Sequence, residues 1–398
     1  MDSLRKAEKL YLNGDVAGTI TLLRSHLEST PNDIETWHRL SLLEEQAGND
    51  RHAGIAHRKC LSLAPNLAIA YIYAGFWLSN KGRTPEAAAA YSIAFDMQPE
   101  RFLQSEHTQS SHETWRRIDH GRALLYDFLQ SHHRQVSSKS MTASNGEWVR
   151  LSSLRPDRRL QGGPPNSDFS PELFRLNGVR KQPYYDPEEF SWKDELLSSS
   201  DSIREELKNV QSSNLLTELS RPYLAQNSIS SGPLKSLAGS NSWSAIDLYR
   251  DGIPCEKAIS LFDLTNNSIK KMPTYGLTET PFEAFFSQLK PNQHIAPHFG
   301  QSNHSLTVHL TVDAPSDAYL EVSGEKRYWQ DNELLIFDDS FLHSAHNPSM
   351  SERTILLFSV WHPDLNAQDK EAIQASFIER GKWLDKRQEV IFDALPTP

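Results

Sequence analysis

Cysteine is nearly absent from this chain. Its 398 residues contain two, Cys60 and Cys255, far apart and in unrelated patterns, which excludes a disulfide framework and a Cys-rich zinc site. Basic charge is also in deficit, with 41 Lys and Arg against 51 Asp and Glu for a net charge of −10. A general nucleic-acid binder needs a surplus of cations on one face, so that class is set aside. No run approaches the ~18 apolar residues that span a bilayer, and Met1-Asp2-Ser3-Leu4-Arg5-Lys6 lacks the apolar core of a signal peptide. These absences lead us to expect a soluble, cytoplasmic protein in a reducing compartment, with neither membrane nor nucleic acid among its partners. The length leaves room for two or three domains.

What is present first is a repeat. Gly14, Gly48 and Gly82 are spaced by 34, as are Pro31, Pro65 and Pro99; Trp37 is matched by Tyr71, and Leu27 by Leu61 and Phe95. Small residues (Ala53, Ala56, Ala87, Ala90) fall on the second half of each unit, where they let paired helices approach. The pattern resembles the tetratricopeptide repeat (TPR) family and implies three helix pairs stacked into a solenoid, whose concave face suits a peptide or protein partner. A structural spacer is the plainer use of the same architecture. The first unit departs from the others in having Leu23 where they have His57 and Tyr91. A further helix is expected around His112 to His132, with Trp115, Ile118, Leu125 and Phe128 as its apolar stripe. The histidines in this region, His107, His112, His120, His132 and His133, read as scattered rather than metal-binding, because adjacent residues on a helix point ~100° apart.

We divide the chain into a helical repeat domain over 1–134, a linker over 135–168 and a second domain over 169–398. The linker is rich in Ser, Arg, Gly and Pro, with a basic run from Arg155 to Arg159 and Gly162-Gly163-Pro164-Pro165 near its end. Beyond it, a helical stretch is expected near Trp192 to Lys208. Strands follow at 244–249, 282–289, 306–312, 318–323, 333–337 and 354–361, a spacing that suggests a sandwich or barrel. In the third of these Leu306, Val308, Leu310 and Val312 alternate with Thr307, His309 and Thr311. The polar face would line a cavity if it pointed inward; for a lone strand, solvent exposure is the simpler reading.

Three residues near this strand carry a chemical suggestion. His298 precedes it in what reads as a loop, His343 follows 45 residues after His298, and Arg353 comes ten residues later at the start of the last strand. Neutral imidazoles suit ferrous iron, and a planar two-pronged guanidinium suits a carboxylate, so this spacing fits an oxygenase that binds iron and a 2-oxo acid.

The segments Phe286-Ser287-Gln288-Leu289-Lys290-Pro291, Pro297-His298-Phe299-Gly300-Gln301-Ser302-Asn303, Val308-His309-Leu310, Ile336-Phe337-Asp338-Asp339-Ser340-Phe341-Leu342-His343 and Val360-Trp361-His362-Pro363 closely resemble the aspartyl/asparaginyl β-hydroxylase family. The resemblance covers roughly residues 170 to 390. It implies an α+β protein of two domains, with the helical solenoid followed by a double-stranded β-helix (jelly-roll, cupin-like) bearing flanking helices. It also implies a dioxygenase that uses Fe(II), 2-oxoglutarate and O2 and releases succinate and CO2. By position, His298 and His343 resemble the iron ligands, Arg353 and Ser287 the residues that hold the distal carboxylate of 2-oxoglutarate, and His309 the residue on its metal-proximal carboxylate. The implied substrate is an Asp or Asn side chain in a peptide. A small amino-acid-like metabolite, a lipid, or a non-catalytic scaffold that senses 2-oxoglutarate are the alternatives.

Two departures matter. Many relatives of the fold have an acidic ligand where this chain has Gly300, although the animal protein-hydroxylating members share the glycine, and Asp338 and Asp339 are the acids that could move in. Those members also have Arg where this chain has Ser305 and Thr307, which weakens the case for an acidic substrate bound as in them. Asp339 could orient His343 or sit in a surface turn. His362 reads as structural, and Trp243, His294 and His346 have no assigned role.

Overall fold

The computed structural model describes residues 2–103, 111–149, 154, 168–213, 215–226 and 232–398. The chain forms two compact units, the first built on Met1–His133 with Glu379–Pro398, the second on Arg134–Arg150 with Gly163–Ile378.

Three helix hairpins make up most of the first unit: α1 (Asp2–Leu12) with α2 (Val16–Ser29), α3 (Ile34–Gln46) with α4 (Asp50–Leu63), and α5 (Ala68–Asn80) with α6 (Thr84–Met97). The glycine of each turn is left-handed, with φ of 79°, 72° and 70° at Gly14, Gly48 and Gly82, a conformation that side chains with a Cβ resist. Asp15 and Asp33 cap α2 and α3 by accepting from the backbone N–H groups of Gly18 and Thr36. Ala53, Ala56, Ala87 and Ala90 are fully buried, as expected where helices approach closely. A long helix, α7 (His112–Val136), buries Trp115, Ile118 and Leu125, while Phe128 is half-buried. Among the described residues no group of three or more His, Cys, Asp or Glu is placed to hold a metal; His107 lies outside them. No helix among the described residues is long and apolar enough to cross a membrane.

The expected linker begins with ordered structure. Met141–Ser144 is a helical turn, and Glu147–Trp148 pairs with Phe174–Arg175, burying Trp148 against Phe174 and Phe377. The basic run and the Gly-Gly-Pro-Pro segment lie outside the described residues. The helical stretch expected from Trp192 is two helices, Lys193–Ser198 and Ser200–Gln211, which meet at Ser199.

Two antiparallel sheets form the body of the second unit. Its strands are β1 (Trp243–Arg250), β2 (Ala284–Leu289), β3 (Gln293–His298), β4 (Ser305–Asp313), β5 (Tyr319–Val322), β6 (Glu325–Tyr328), β7 (Leu334–Phe337), β8 (His343–Asn347) and β9 (Arg353–Trp361). The larger sheet runs β7-β4-β9-β2-β1, with Tyr184–Tyr185 pairing outside β7 and Ser220–Pro222 outside β1; the smaller runs β6-β5-β8-β3. One apolar cluster joins Leu289, Leu335, Phe337 and Ile355 of the larger sheet to Ile295, Leu320, Val322 and Ala345 of the smaller, so the sheets face each other. A second cluster packs the outer face of the larger sheet (Ile246, Phe286, Val308, Leu310, Leu356, Phe358) on Ile203, Leu207 and Ile269 of the flanking helices.

This layering decides the reading of β4. Leu306, Val308, Leu310 and Val312 are each at most 2% exposed beneath the helices, and burying each contributes about 1.5–3 kcal/mol. The Thr and His face therefore turns toward the smaller sheet and is also buried, not solvated. The strand expectations missed β3, β6 and β8. His298 lies at the end of strand β3, not in a loop, and His343 opens β8. Gln293-His-Ile-Ala-Pro-His shows no apolar alternation and contains Pro297, which the sheet tolerates because β3 is an edge strand.

Candidate active site

Adjacent strands bring the two histidines together. His343 of β8 is the cross-strand partner of His298 on β3, and their ring centroids are 4.1 Å apart. Each Nδ1 lies 2.9 Å from a backbone carbonyl two residues back, that of Ala296 for His298 and of Phe341 for His343. A carbonyl only accepts, so Nδ1 carries the proton and Nε2 keeps its lone pair, as a metal ligand requires. Burial holds both rings below the usual imidazole range; for His343, burial and then the neighbouring His298 push it down to about 3. Both are therefore neutral donors at neutral pH.

His309, on the inward face of β4, is arranged in the opposite sense. Trp329 donates its indole N–H to His309 Nδ1 at 3.4 Å, which leaves the proton of the neutral ring on Nε2, where it can be donated to an anion. Burial, then Arg353 and His343, hold this ring well below its ordinary pKa.

Arg353 is a buried cation with no bonded carboxylate among the described residues. It is 1% exposed, its Nη1 donates to the Ser287 carbonyl and hydroxyl at 3.1 and 3.2 Å, and its Nε has no partner. The guanidinium stacks 4.8 Å from the Trp329 ring. Burial lowers it to about 9, and Glu352, which accepts from Gln288, only partly offsets this. Uncompensated buried charge is costly, so the pocket favours an incoming carboxylate. Ser287 Oγ accepts from Arg353 and from Trp243 Nε1 at 3.1 Å, which leaves its own O–H to donate. All five sequence-derived residues, Ser287, His298, His309, His343 and Arg353, line one cavity of about 930 Å³.

Asp339 lines it too. Its carboxylate occupies the space above Gly300, where an added Cβ would lie 2.1–2.4 Å from it. Burial, then Asp338 and Glu283, raise its pKa well above the carboxylate range. The glycine is therefore required by a neighbouring acid. Gly300→Ala is expected to cost about 1–3 kcal/mol by overpacking, seen as a lower melting temperature; Gly300→Ala with Asp339→Gly recovers most of it.

Asp338 is turned away from the cavity. It is fully buried, Oδ1 accepts from the Ser340 N–H at 2.9 Å, and Oδ2 has no partner; burial pushes its carboxyl up to about 7. The unfolded chain ionises this group near its ordinary value of 3.8 while the folded chain holds the proton, so stability falls as pH rises through that window and levels above about 7. The full shift corresponds to at most about 4 kcal/mol. Asp338→Asn is expected to shrink the loss of unfolding free energy between about pH 5 and about pH 8, measured by denaturant titration.

Trp243, Trp329, Tyr223, Tyr275, His304 and Glu283 belong to the site or its neighbourhood and carried no sequence signal, except that Trp243 stood out as unassigned. His362 is structural: fully buried, it bonds the Tyr185 hydroxyl at 2.7 Å and the Arg180 carbonyl at 3.2 Å. His294 and His346 stack on each other with Tyr319 and are not among the residues lining the cavity.

Two neutral histidines on paired strands, one of them at a sheet edge, share with a buried arginine a cavity between two antiparallel sheets. The profile of the Aspartyl/Asparaginyl beta-hydroxylase family matches residues 198–363 of the chain. Human aspartyl/asparaginyl beta-hydroxylase is 24% identical over 375 residues, covering 93% of this chain and 44% of that protein. Aspartate beta-hydroxylase domain-containing protein 2 of Xenopus tropicalis is 26% identical over 265 residues, 64% of this chain and 65% of that protein. Ornithine lipid ester-linked acyl 2-hydroxylase of Rhizobium tropici is 30% identical over 184 residues, 46% of this chain and 61% of that protein. The chain thus spans less than half the length of its human relative.

Proposed function

We propose that the second unit is an Fe(II)- and 2-oxoglutarate-dependent dioxygenase that hydroxylates a C–H bond of a peptide or protein side chain, yielding succinate and CO2. The carrying observation is the buried, anion-less Arg353 in the same cavity as two neutral histidines with free Nε2 lone pairs. His298 and His343 would hold the iron, and Asp339, four residues before His343, lines the same cavity. Arg353 and the Ser287 hydroxyl would hold the distal carboxylate of 2-oxoglutarate, and the Nε2–H of His309 its other end. When bound, iron with 2-oxoglutarate and O2 supplies the oxidising power to break an unactivated C–H bond.

The chain's own residues orient and shield. Ile295, Leu320, Ala345, Ile355 and Leu357 give the cavity apolar walls, which exclude water and strengthen the Arg353–carboxylate interaction. The family match and the names of the human and Xenopus relatives support a peptide or protein side chain as the target; those proteins are named for aspartate or asparagine. The helical unit we read as a TPR solenoid that offers a surface to a protein partner, and the two-sheet unit as a double-stranded β-helix. Succinate formed from 2-oxoglutarate by the purified chain tests the catalytic reading. Binding of iron and 2-oxoglutarate without succinate, across a broad peptide panel, would instead support a non-catalytic sensor.

A further inference from the structure

The inward face of the larger sheet has two chemically different ends. At one end lie Arg353 and Ser287. At the other, a polar row crosses three strands: Thr307 of β4 is the cross-strand partner of Ser359 on β9, and Glu283 immediately precedes β2. Thr307 Oγ1 donates to Asp339 Oδ2 at 3.4 Å, and Ser359 Oγ donates to Glu283 Oε1 at 2.7 Å. The row therefore reads carboxylate, hydroxyl, hydroxyl, carboxylate. Glu283 and Ser287 are four residues apart, about 13 Å along an extended strand, which leaves a separate compartment beyond the anion anchor.

No cation among the described residues balances that compartment. Arg353 is the single Lys or Arg among the described residues lining the cavity, whereas Glu172, Asp251, Glu283 and Asp339 all line it. Arg221, which acts on the cavity-lining Tyr223, is committed to Asp247. Burial and the nearby Asp251 and Asp247 keep the Glu283 carboxyl above its ordinary range, the behaviour of an acid lacking a counter-charge. A second observation points to a ligand here. His304 lines the same cavity and is 2% exposed, yet its Nε2 has no hydrogen-bond partner among the described residues. Tyr275, packed 4.6 Å from the His304 ring, and Tyr223 add aromatic groups to the lining, and aromatic faces attract cations. Ser305 and Thr307 line the same cavity and carry no charge.

Resting on the reading of Arg353 as the 2-oxoglutarate anchor, we infer that the substrate of this cavity presents an ammonium or guanidinium group to Glu283. A carboxylate-bearing side chain meets acids where it needs cations. Lysine or arginine within a peptide and the free amino acids share the required chemistry, and the experiment separates them.

The test uses the full chain with Fe(II) and 2-oxoglutarate, held anaerobic in a calorimeter. Capped peptides differing only in a central Lys, Arg, Ala, Asn or Asp are titrated in, followed by free L-lysine and L-arginine. The Lys or Arg peptide is expected to bind at least about ten-fold tighter than its Asp counterpart, and Glu283→Gln to collapse that ratio, with 2-oxoglutarate binding in the same sample reporting that the variant is folded. Tighter binding of the free amino acids than of the peptides keeps the inference and identifies a small-molecule substrate. Equal binding across the panel, or preference for Asp, by protein that binds 2-oxoglutarate overturns this inference alone. Wild-type protein that binds no 2-oxoglutarate overturns the functional reading and this inference with it.

Discussion

Replacing Arg353 with methionine stabilises the ligand-free protein and abolishes its response to 2-oxoglutarate. The two effects have one origin. In the absence of ligand the guanidinium is 1% exposed, lacks a bonded carboxylate and leaves Nε unpaired, so an apolar side chain of similar length removes an uncompensated charge. Exchanges of buried charge for packed apolar groups are neutral or stabilising by about 1–4 kcal/mol. Removing one partner of a buried charge pair weakens binding by about 2–5 kcal/mol, or at least ~30-fold in affinity. Wild-type protein at ~100 times its Kd for 2-oxoglutarate should gain ~2.7 kcal/mol of stability, visible as a rise in melting temperature that the variant lacks. If Arg353 serves only the fold, the variant is destabilised and the thermal response to 2-oxoglutarate, if any, is unchanged.

On the proposed reading, His298→Ala or His343→Ala is expected to remove metal binding and succinate formation together. Losing only the hydrogen-bond partner of a ligating histidine costs ~10–100-fold in metal affinity, so loss of one of two ligands is expected to cost more than ~100-fold. Cobalt(II) binding followed by its absorption, alongside succinate release, checks the expectation. His362→Ala provides the contrast. His362 is fully buried and bonded to Tyr185 and Arg180, so its loss should lower stability and leave Co(II) binding in place. Retained metal binding in both His298→Ala and His343→Ala would place the metal elsewhere.

Signals carried by local pattern were legible in the sequence. The 34-residue spacing of Gly14, Gly48 and Gly82 marked the turns of three helix hairpins, because each glycine meets a left-handed backbone requirement that recurs with the period. Strict alternation over residues 306 to 312 gave β4, though not which face met the cavity, since that depends on the smaller sheet opposite it. The strands of His298 and His343 were hidden because β3 and β8 are polar and lack alternation, and pairing across an edge supplies what propensity does not. Residues that entered the site through topology left no trace. Trp329 directly follows β6, 24 residues before Arg353, and Glu283 meets Ser359 across 76 residues. Nor could sequence reveal that His298 and His343 expose Nε2 lone pairs while His309 exposes an N–H; that distinction rests on which carbonyl or indole each ring meets.

The central claim is that one cavity holds iron on His298 and His343 with 2-oxoglutarate anchored by Arg353. Its most direct test is anaerobic titration of Fe(II) and 2-oxoglutarate into the purified chain, followed by visible absorption. A metal-to-ligand charge-transfer band that needs both components, disappears in His298→Ala and weakens in Arg353→Ala is the predicted result. A well-folded protein that shows no band at saturating Fe(II) and 2-oxoglutarate would contradict the account.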